Sequence, residues 1–308
     1  MAHIAVLGLG NWGTAIARLW LLEGHKVKGW TIEEEVYQSI TLDDVNSKYL
    51  PEHPVPGLDA TMHLSEALKE SEIIVLAVPS SVILDVVEDI MPHLQPGHVL
   101  LDLAKGLAPG KRLISQAIHG MLKDAGKTNP LAVLTGPTIA PEAAGGVMTT
   151  ALVASEDDAV ANRLASTLST PSFILHAASD PVGAELWGAY KNVVALACGL
   201  VDGLKQVGDL GGDNLKAAIF MSGFKEGCLL LAELGARAEV AFGPAGLGDM
   251  YVTATYYQVE SCCDYITIGS TAYQGSTNGP SNVRMTTGQT LTWRADGSVT
   301  YGLSLIHI

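Results

Sequence analysis

One lysine stands inside an otherwise apolar helical stretch, ELWGAYKNVVALACGLVDG, which spans residues 185–203. At a period of about 3.6 residues, Gly188, Ala195 and Cys198 share a helix face with Lys191. A solvated face would carry more charge, whereas small residues let another group approach closely. An ammonium in such a place can stabilise negative charge on an oxygen and then donate a proton. The alternative is a Lys191 that lies on the water side of the helix.

A second group of residues has the spacing of a phosphate-binding turn. Residues 8–13, GLGNWG, follow the apolar run IAVL and open a helical pattern that continues to Leu22. In this context Gly8 permits a tight turn, Gly10 lets a pyrophosphate approach the backbone, and Gly13 allows close helix–strand packing. The helix N-terminus attracts the phosphates. The pattern favours a dinucleotide-binding turn over a merely tight strand–helix connection.

The second strand is followed by acidic residues. Its sequence, GWTIEEE, places Glu33 to Glu35 slightly beyond the position where an acid usually holds the ribose hydroxyls. No arginine suited to a 2′-phosphate stands nearby, which favours NAD over NADP. The same glutamates would equally suit a solvated helix start.

Residues 1–178 have the pattern of a domain that would position these groups. Apolar strand segments alternate with helical segments, which implies a parallel sheet covered on both faces. The predicted strands include Ile73–Val78, Val99–Leu103, Leu131–Thr135, ALVAS and FILHA. The helical segments between them include Ser80–Met91 and Leu113–Lys123. We therefore predict an α/β protein with a Rossmann-type doubly wound parallel sheet as its dinucleotide-binding domain.

The pattern changes twice farther along the chain. Residues 179–258 are dominated by helical stretches, Pro181–Leu204 and Asn214–Leu234, and are predicted to form a partial all-α substrate domain. Residues 259–308 form a tail rich in Ser, Thr and Gly, in which TLTWRADGSVTYGLSL could fold as a local hairpin. The abrupt junction favours a truncated or frame-shifted reading of a longer gene, the alternative being a divergent but genuine C-terminus.

Composition excludes several classes of function. With 308 residues, 48% of them hydrophobic, the chain suggests two domains. The net charge of −14 argues against a nucleic-acid partner and against an anionic membrane surface. The 4 cysteines and 9 histidines show no metal-binding spacing, so no metal site is predicted. No signal peptide or membrane insertion is predicted, which favours a cytoplasmic protein, and a homodimer is compatible with the sequence.

Seven segments, taken in order, resemble the NAD(P)-dependent glycerol-3-phosphate dehydrogenase family. They are GLGNWGTAIA, NSKYLP, AVPS, AKGL, LTGPTIAPE, GAYKNVVALACGLVDGL and GLGDMYVTAT. The resemblance covers residues 1–257 and implies NAD or NADP as cofactor and a small phosphorylated substrate. The implied reaction is the reversible reduction of dihydroxyacetone phosphate to sn-glycerol 3-phosphate, a precursor of phospholipids.

The resemblance also implies roles for individual residues. The implied catalytic residues are Lys191, Lys105 and Asp249, with Asp249 placed to orient Lys191. The implied substrate-binding residues are Lys105, Gly136, Thr138, Asn192 and Thr253. The implied cofactor-binding residues are Gly8, Gly10, Asn11, Trp12, Gly13, Lys105 and Ala140.

The sequence departs from the family pattern in three places. Thr138 stands where the family usually has Ser, and a usual arginine near Ser222 is absent. An Arg–Asn pair that clamps the substrate phosphate is expected about ten residues beyond Asp249, where this chain reads YYQVESCC. Two alternatives therefore stay open: a dinucleotide-binding protein that has lost catalysis, and a dehydrogenase acting on a different hydroxy acid.

Overall fold

The computed structural model describes residues 1–207, 211–255, 265–268, 271–274, 290–294 and 306–307. Within these ranges, eight strands form one sheet in the order β3-β2-β1-β4-β5-β6-β7-β8. The strands are β1 (His3–Leu7), β2 (Lys26–Trp30), β3 (Asp59–Thr61), β4 (Ile73–Leu76), β5 (Val99–Asp102), β6 (Leu131–Thr135), β7 (Thr149–Ser155) and β8 (Phe173–Ala178). The helices between them are α1 (Asn11–Leu22), α2 (Glu34–Asp43), α3 (Leu64–Leu68), α4 (Ile83–Ile90), α5 (Ile114–Asp124), α6 (Ala140–Ala144) and α7 (Asp158–Leu168), with a 3-10 turn at Met91–His93.

The predicted Rossmann-type sheet is confirmed, and alternation along its strands explains its two cores. In β1, Ile4 and Val6 belong to the apolar cluster on one face, while Ala5 and Leu7 belong to the cluster on the other. Each of these four residues is at most 1% exposed. Such strands are apolar throughout because helices cover both faces of the sheet.

Two strands, β7 and β8, depart from the predicted parallel arrangement. β7 pairs antiparallel with β6, whereas β8 runs parallel to β7. The connecting helix α6 has five residues, and its Ala140 and Ala144 pack with Ala15 of α1. Because α6 stays at the carboxyl end of β6 and does not cross back over the sheet, the next strand runs in the opposite direction.

A helical region follows the sheet. It comprises α8 (Pro181–Val207), α9 (Asp213–Glu233), α10 (Ala238–Ala241), a π-helical turn at Pro244–Gly248, and α11 (Asp249–Thr255). Trp187 of α8 is 1% exposed, and its ring lies 5.4 Å from that of Phe224 on α9. The same apolar cluster includes Val133 and Leu152 of the sheet, so the helical region packs directly on β6 and β7. No helix in the described part of the chain combines the length and the apolar character needed to span a bilayer.

Four short strands are described in the tail. They are β9 (Tyr265–Ile268), β10 (Thr271–Gln274), β11 (Thr290–Arg294) and β12 (Ile306–His307), in the order β10-β9-β11-β12. β11 pairs antiparallel with β9 and with β12. The turn of the predicted hairpin, at Asp296-Gly297, lies outside the described residues.

Candidate active site

The glycine turn joins β1 to α1 with the predicted geometry. Gly8 has φ of +107°, and a Cβ there would lie 2.6 Å from the carbonyl oxygen of Ala77. A Cβ on Gly13 would lie 1.9 Å from the carbonyl oxygen of Gly8, so only glycine permits this close approach. A Cβ on Gly10 would meet no atom within 4 Å among the described residues. The turn is therefore closely packed against Ala77 at Gly8, whereas the space next to Gly10 is open.

The first turn of α1 is suited to an anion. Gly10 is its N-cap and has no side chain to cap the first N–H groups of the helix. These backbone N–H groups are the donors at this site, whereas the buried Asn11 Oδ1 atom, which has no hydrogen-bond partner among the described residues, is an acceptor and does not itself bind an anion. Unsatisfied donors at a helix N-terminus, next to an open backbone, fit the diphosphate of a dinucleotide.

Two other predicted cofactor residues are packed near this turn. The Trp12 ring lies 6.0 Å from that of Phe173 in an edge-to-face arrangement. Trp12 also packs against the cluster that contains Ala140, which is 8% exposed. Trp12 therefore fixes the first turn of α1 against the sheet and α6.

Asn46 holds the turn, although it was not among the predicted site residues. The Nδ2 group of Asn46 donates to the carbonyl oxygen of Leu9 and to Oγ1 of Thr14, both at 2.8 Å. Asn46 is fully buried. It belongs to the NSKYLP segment, which was the only signal that could have indicated this role.

Glu33 follows β2 at the same edge of the sheet. Its carboxylate accepts a hydrogen bond from the Tyr49 hydroxyl at 2.8 Å and pairs with the Lys48 ammonium at 2.5 Å. Hydrogen bonds from Lys48 to Glu33 and Glu35 raise the pKa of Lys48. Glu33, the N-cap of α2, is therefore held by Tyr49 and Lys48, whereas Glu34 and Glu35 are exposed in the first turn of that helix, as the alternative of a solvated helix start predicts.

Lys191 is buried inside the helical region, and the alternative of a solvated lysine is wrong. Its side chain is 2% exposed, and its Nζ lies 2.5 Å from Oδ1 of Asp249. Gly188 explains how α8 reaches the sheet, because a Cβ there would lie 3.2 Å from Oγ1 of Thr135 on β6. Asp249 is the first residue of α11, which packs along α8.

Lys105 approaches the same aspartate from the sheet. Its Nζ lies 3.5 Å from Oδ2 of Asp249 and 3.4 Å from both the Gly136 carbonyl oxygen and Oγ1 of Thr138. Thr138 in turn donates to the Gly136 carbonyl oxygen at 3.2 Å. The structure therefore brings Lys105, Gly136, Thr138, Lys191 and Asp249 together, where the carboxyl ends of β5 and β6 meet α8 and α11.

Burial and charge set the protonation of this cluster. Burial lowers the pKa of Lys191 most, the Asp249 carboxylate opposes this, and the Lys105 ammonium lowers it further, to about 7. An amine with this pKa exchanges a proton readily near neutral pH. Lys105, whose side chain is 21% exposed, marks the open side of the cluster.

The remaining predicted substrate residues lie on the same two helices. Asn192 is 9% exposed, and its Oδ1 atom has no hydrogen-bond partner among the described residues. Thr253 lies on α11, but its side chain is outside the described part of the structure. The segment that lacks the expected Arg–Asn pair, 256–263, is outside it as well.

Family models match most of the chain. The N-terminal model of NAD-dependent glycerol-3-phosphate dehydrogenase matches residues 3–161, and the C-terminal model matches residues 180–269. The chain belongs to the NAD-dependent glycerol-3-phosphate dehydrogenase family.

Individual members agree with this assignment. The glycerol-3-phosphate dehydrogenase [NAD(P)+] of Rhodospirillum rubrum is 40% identical over 259 residues, covering 83% of this chain and 71% of that protein. The enzyme of the same name from Clostridium acetobutylicum is 36% identical over 257 residues, with coverages of 83% and 75%. The crystal structure of glycerol-3-phosphate dehydrogenase from Coxiella burnetii superposes with a TM-score of 0.75 at 33% identity, covering 82% of this chain and 75% of that one.

Membership places the chain among NAD(P)-dependent oxidoreductases. Within the described ranges, no group of three or more His, Cys, Asp or Glu side chains is arranged to hold a metal ion.

Substitution of Gly10 tests the glycine turn of this dehydrogenase. A Val side chain would enter open space in the free protein, but it would occupy the approach of the diphosphate to the backbone. We expect Gly10→Val to weaken NADH binding about tenfold or more, by about 1.4 kcal/mol, with an unchanged melting temperature. Fluorescence titration measures the affinity for NADH, and thermal unfolding measures the melting temperature. Gly97→Val, also in open space but in an exposed loop elsewhere, is the matched control.

Proposed function

We propose that this chain reduces dihydroxyacetone phosphate to sn-glycerol 3-phosphate, reversibly, with NAD(P)H as the hydride source. The observation that carries the proposal is the cluster of Lys191, Asp249 and Lys105 at the carboxyl edge of the sheet that bears the dinucleotide turn. Bound nicotinamide cofactor supplies the hydride.

Lys191 is proposed as the proton donor. Reduction of a carbonyl builds negative charge on its oxygen, and the Lys191 ammonium stabilises that charge and then releases a proton to it. The hydrogen bond to Asp249 fixes the ammonium and keeps part of it protonated despite burial. In the reverse direction the neutral amine accepts the proton from the alcohol.

Lys105 and its neighbours are proposed to hold the substrate. The Lys105 ammonium is the more exposed of the two and is positioned beside Gly136 and Thr138, so it can meet an anionic group that enters the cleft. Asn192 and Thr253 are proposed to supply further polar contacts from α8 and α11.

Glu33 supports a preference for NAD over NADP. A carboxylate fixed after β2 accepts hydrogen bonds from ribose hydroxyls and repels a 2′-phosphate. We expect Glu33→Gln to raise the affinity for NADPH relative to NADH about tenfold, or about 1.4 kcal/mol, because it removes the repulsion between the carboxylate and the 2′-phosphate. Fluorescence titrations with both cofactors measure the ratio. Glu34→Gln, one exposed residue farther along, is the control; equal shifts in both variants would contradict a specific role of Glu33.

Two measurements test the function as a whole. NADH fluorescence reports binding, and the oxidation of NADH after addition of dihydroxyacetone phosphate reports turnover. We expect both. A second function, dinucleotide binding without catalysis, is favoured by the missing Arg–Asn pair after Asp249; binding without oxidation would select it. Oxidation of NADH only with a keto acid, which is reduced to its hydroxy acid, would select a related dehydrogenase that acts on that hydroxy acid. The cytoplasmic location and the homodimer stay predictions.

A further inference from the structure

Asp102 and Glu185 are buried carboxyl groups that lie outside the lysine cluster and take no part in the proposed chemistry. Asp102, the last residue of β5, is 0% exposed, and Glu185, in the second turn of α8, is 4% exposed. Each is costly to bury as an anion. Their positions therefore call for a structural or functional reason.

Each carboxyl group holds one end of the same connection, residues 103–113 between β5 and α5. Oδ1 of Asp102 accepts the backbone N–H of Ala104 at 2.8 Å. Glu185 accepts the backbone N–H of Ser115 at 3.0 Å and also the Ser115 hydroxyl. Since Ser115 is in the first turn of α5, Glu185 satisfies donors that the start of this helix leaves open.

This connection carries Lys105, the residue that follows Ala104. The Lys105 ammonium lies 3.4 to 3.5 Å from the Gly136 carbonyl oxygen, Oγ1 of Thr138 and Oδ2 of Asp249. The backbone of this connection sets the point from which the Lys105 side chain reaches them. Glu185 stands on the helix that also bears Lys191, so it ties the Lys105 connection to that helix.

We propose that Asp102 and Glu185 are positioning residues, which hold the connection 103–113 so that the Lys105 ammonium faces Lys191 across Asp249. The proposal rests on the proposed function only for the consequence in catalysis. The placement of Lys105 itself does not require turnover.

The pKa shifts of Asp102 and Glu185 bear on which substitutions at Asp102 keep its hydrogen bond to Ala104. Burial raises the pKa of Asp102 well above its usual range, and the charge of Glu185 raises it further. Burial also raises the pKa of Glu185, against the hydrogen bonds from Ser115. Burial and the charge of Glu185 both disfavour the charge on Asp102, and its Oδ1 accepts the Ala104 N–H at 2.8 Å. An amide of the same shape keeps this acceptor, whereas a methyl group does not.

Lysine labelling tests the proposal without substrate. Full-length wild type, Asp102→Ala and Asp102→Asn are treated with trace acetic anhydride, and mass spectrometry of peptides gives the labelling rate of each amine. We expect Asp102→Ala to raise the rate at Lys105 about fivefold, the change that corresponds to one lost hydrogen bond of about 1 kcal/mol. Asp102→Asn should match wild type. Lys225, exposed on α9, is the internal control.

A second variant keeps the test decisive if Asp102→Ala does not fold. Ser115→Ala removes the hydroxyl donor of Glu185 at the other end of the connection, and it too should raise labelling of Lys105. An unchanged Lys105 rate in the folded Ala variants would overturn the proposal, as would an equal rise in Asp102→Asn.

Steady-state kinetics measure how the placement of Lys105 affects catalysis. In an active wild type, the loosened variants should raise KM for dihydroxyacetone phosphate more than they lower kcat, and Asp102→Asn should restore both. An equal loss in Asp102→Asn would overturn the positioning role. Absence of turnover in wild type counts against the proposed function alone, because the labelling result still decides the placement of Lys105.

Discussion

Lys191→Ala is expected to lower kcat about 10³-fold, since it removes both the proton donor and the charge that stabilises the developing oxyanion. NADH affinity should stay unchanged, because the glycine turn lies on β1 and α1 while Lys191 lies on α8. Stopped-flow or steady-state oxidation of NADH measures kcat, and fluorescence titration measures the affinity for NADH.

Two further variants separate chemistry from packing at this position. Lys191→Met keeps the volume of the aliphatic stem without the charge and should lose the same activity. Lys225→Ala removes an exposed lysine of α9 and should lose none. Normal turnover in Lys191→Met would contradict the role of the ammonium.

Asp249→Asn is expected to lower kcat about 10²-fold near neutral pH and to change its pH dependence. The Asp249 carboxylate raises the pKa of Lys191, which burial and Lys105 together lower to about 7. Without that carboxylate the pKa of Lys191 falls further. The protonated amine needed for carbonyl reduction is then lost at lower pH, so the falling limb of the kcat profile should move to more acidic values.

A pH series of NADH oxidation from pH 5 to pH 9 measures this shift in wild type and Asp249→Asn. Asp213→Asn, which removes an exposed carboxylate paired with Lys205 at 2.8 Å, is the matched control and should leave the profile unchanged. A limb that moves to higher pH in Asp249→Asn would contradict the proposed coupling.

The sequence predicted the parts of the site that follow from local pattern. The turn at Gly8 and Gly13 is encoded by its neighbours in the chain, and the small-residue face of α8 indicated that Lys191 is covered. Asp249 could be predicted only from the family resemblance, because it lies 58 positions beyond Lys191 and no periodicity relates the two residues.

Other features depend on tertiary contacts and have no local signature. A fully buried strand is apolar whether it runs parallel or antiparallel, so the direction of β7 could not be predicted from its composition. Asn46 acts on Leu9 from a distant segment, and Glu185 acts on Ser115 from another helix. The roles of Asn46 and Glu185 can be inferred only when the residues that pack against them are known.

The protonation of Lys191 is the quantity on which the proposed chemistry depends most directly. A ¹³C NMR titration of lysine-labelled wild-type protein, with the Lys191 resonance assigned through Lys191→Met, measures it. We predict a midpoint near pH 7, because burial and the Lys105 ammonium lower the pKa of Lys191 more than the Asp249 carboxylate raises it. A midpoint at the ordinary value of 10.5 would contradict the account, because it would show that the amine is solvated and is not tuned for proton transfer.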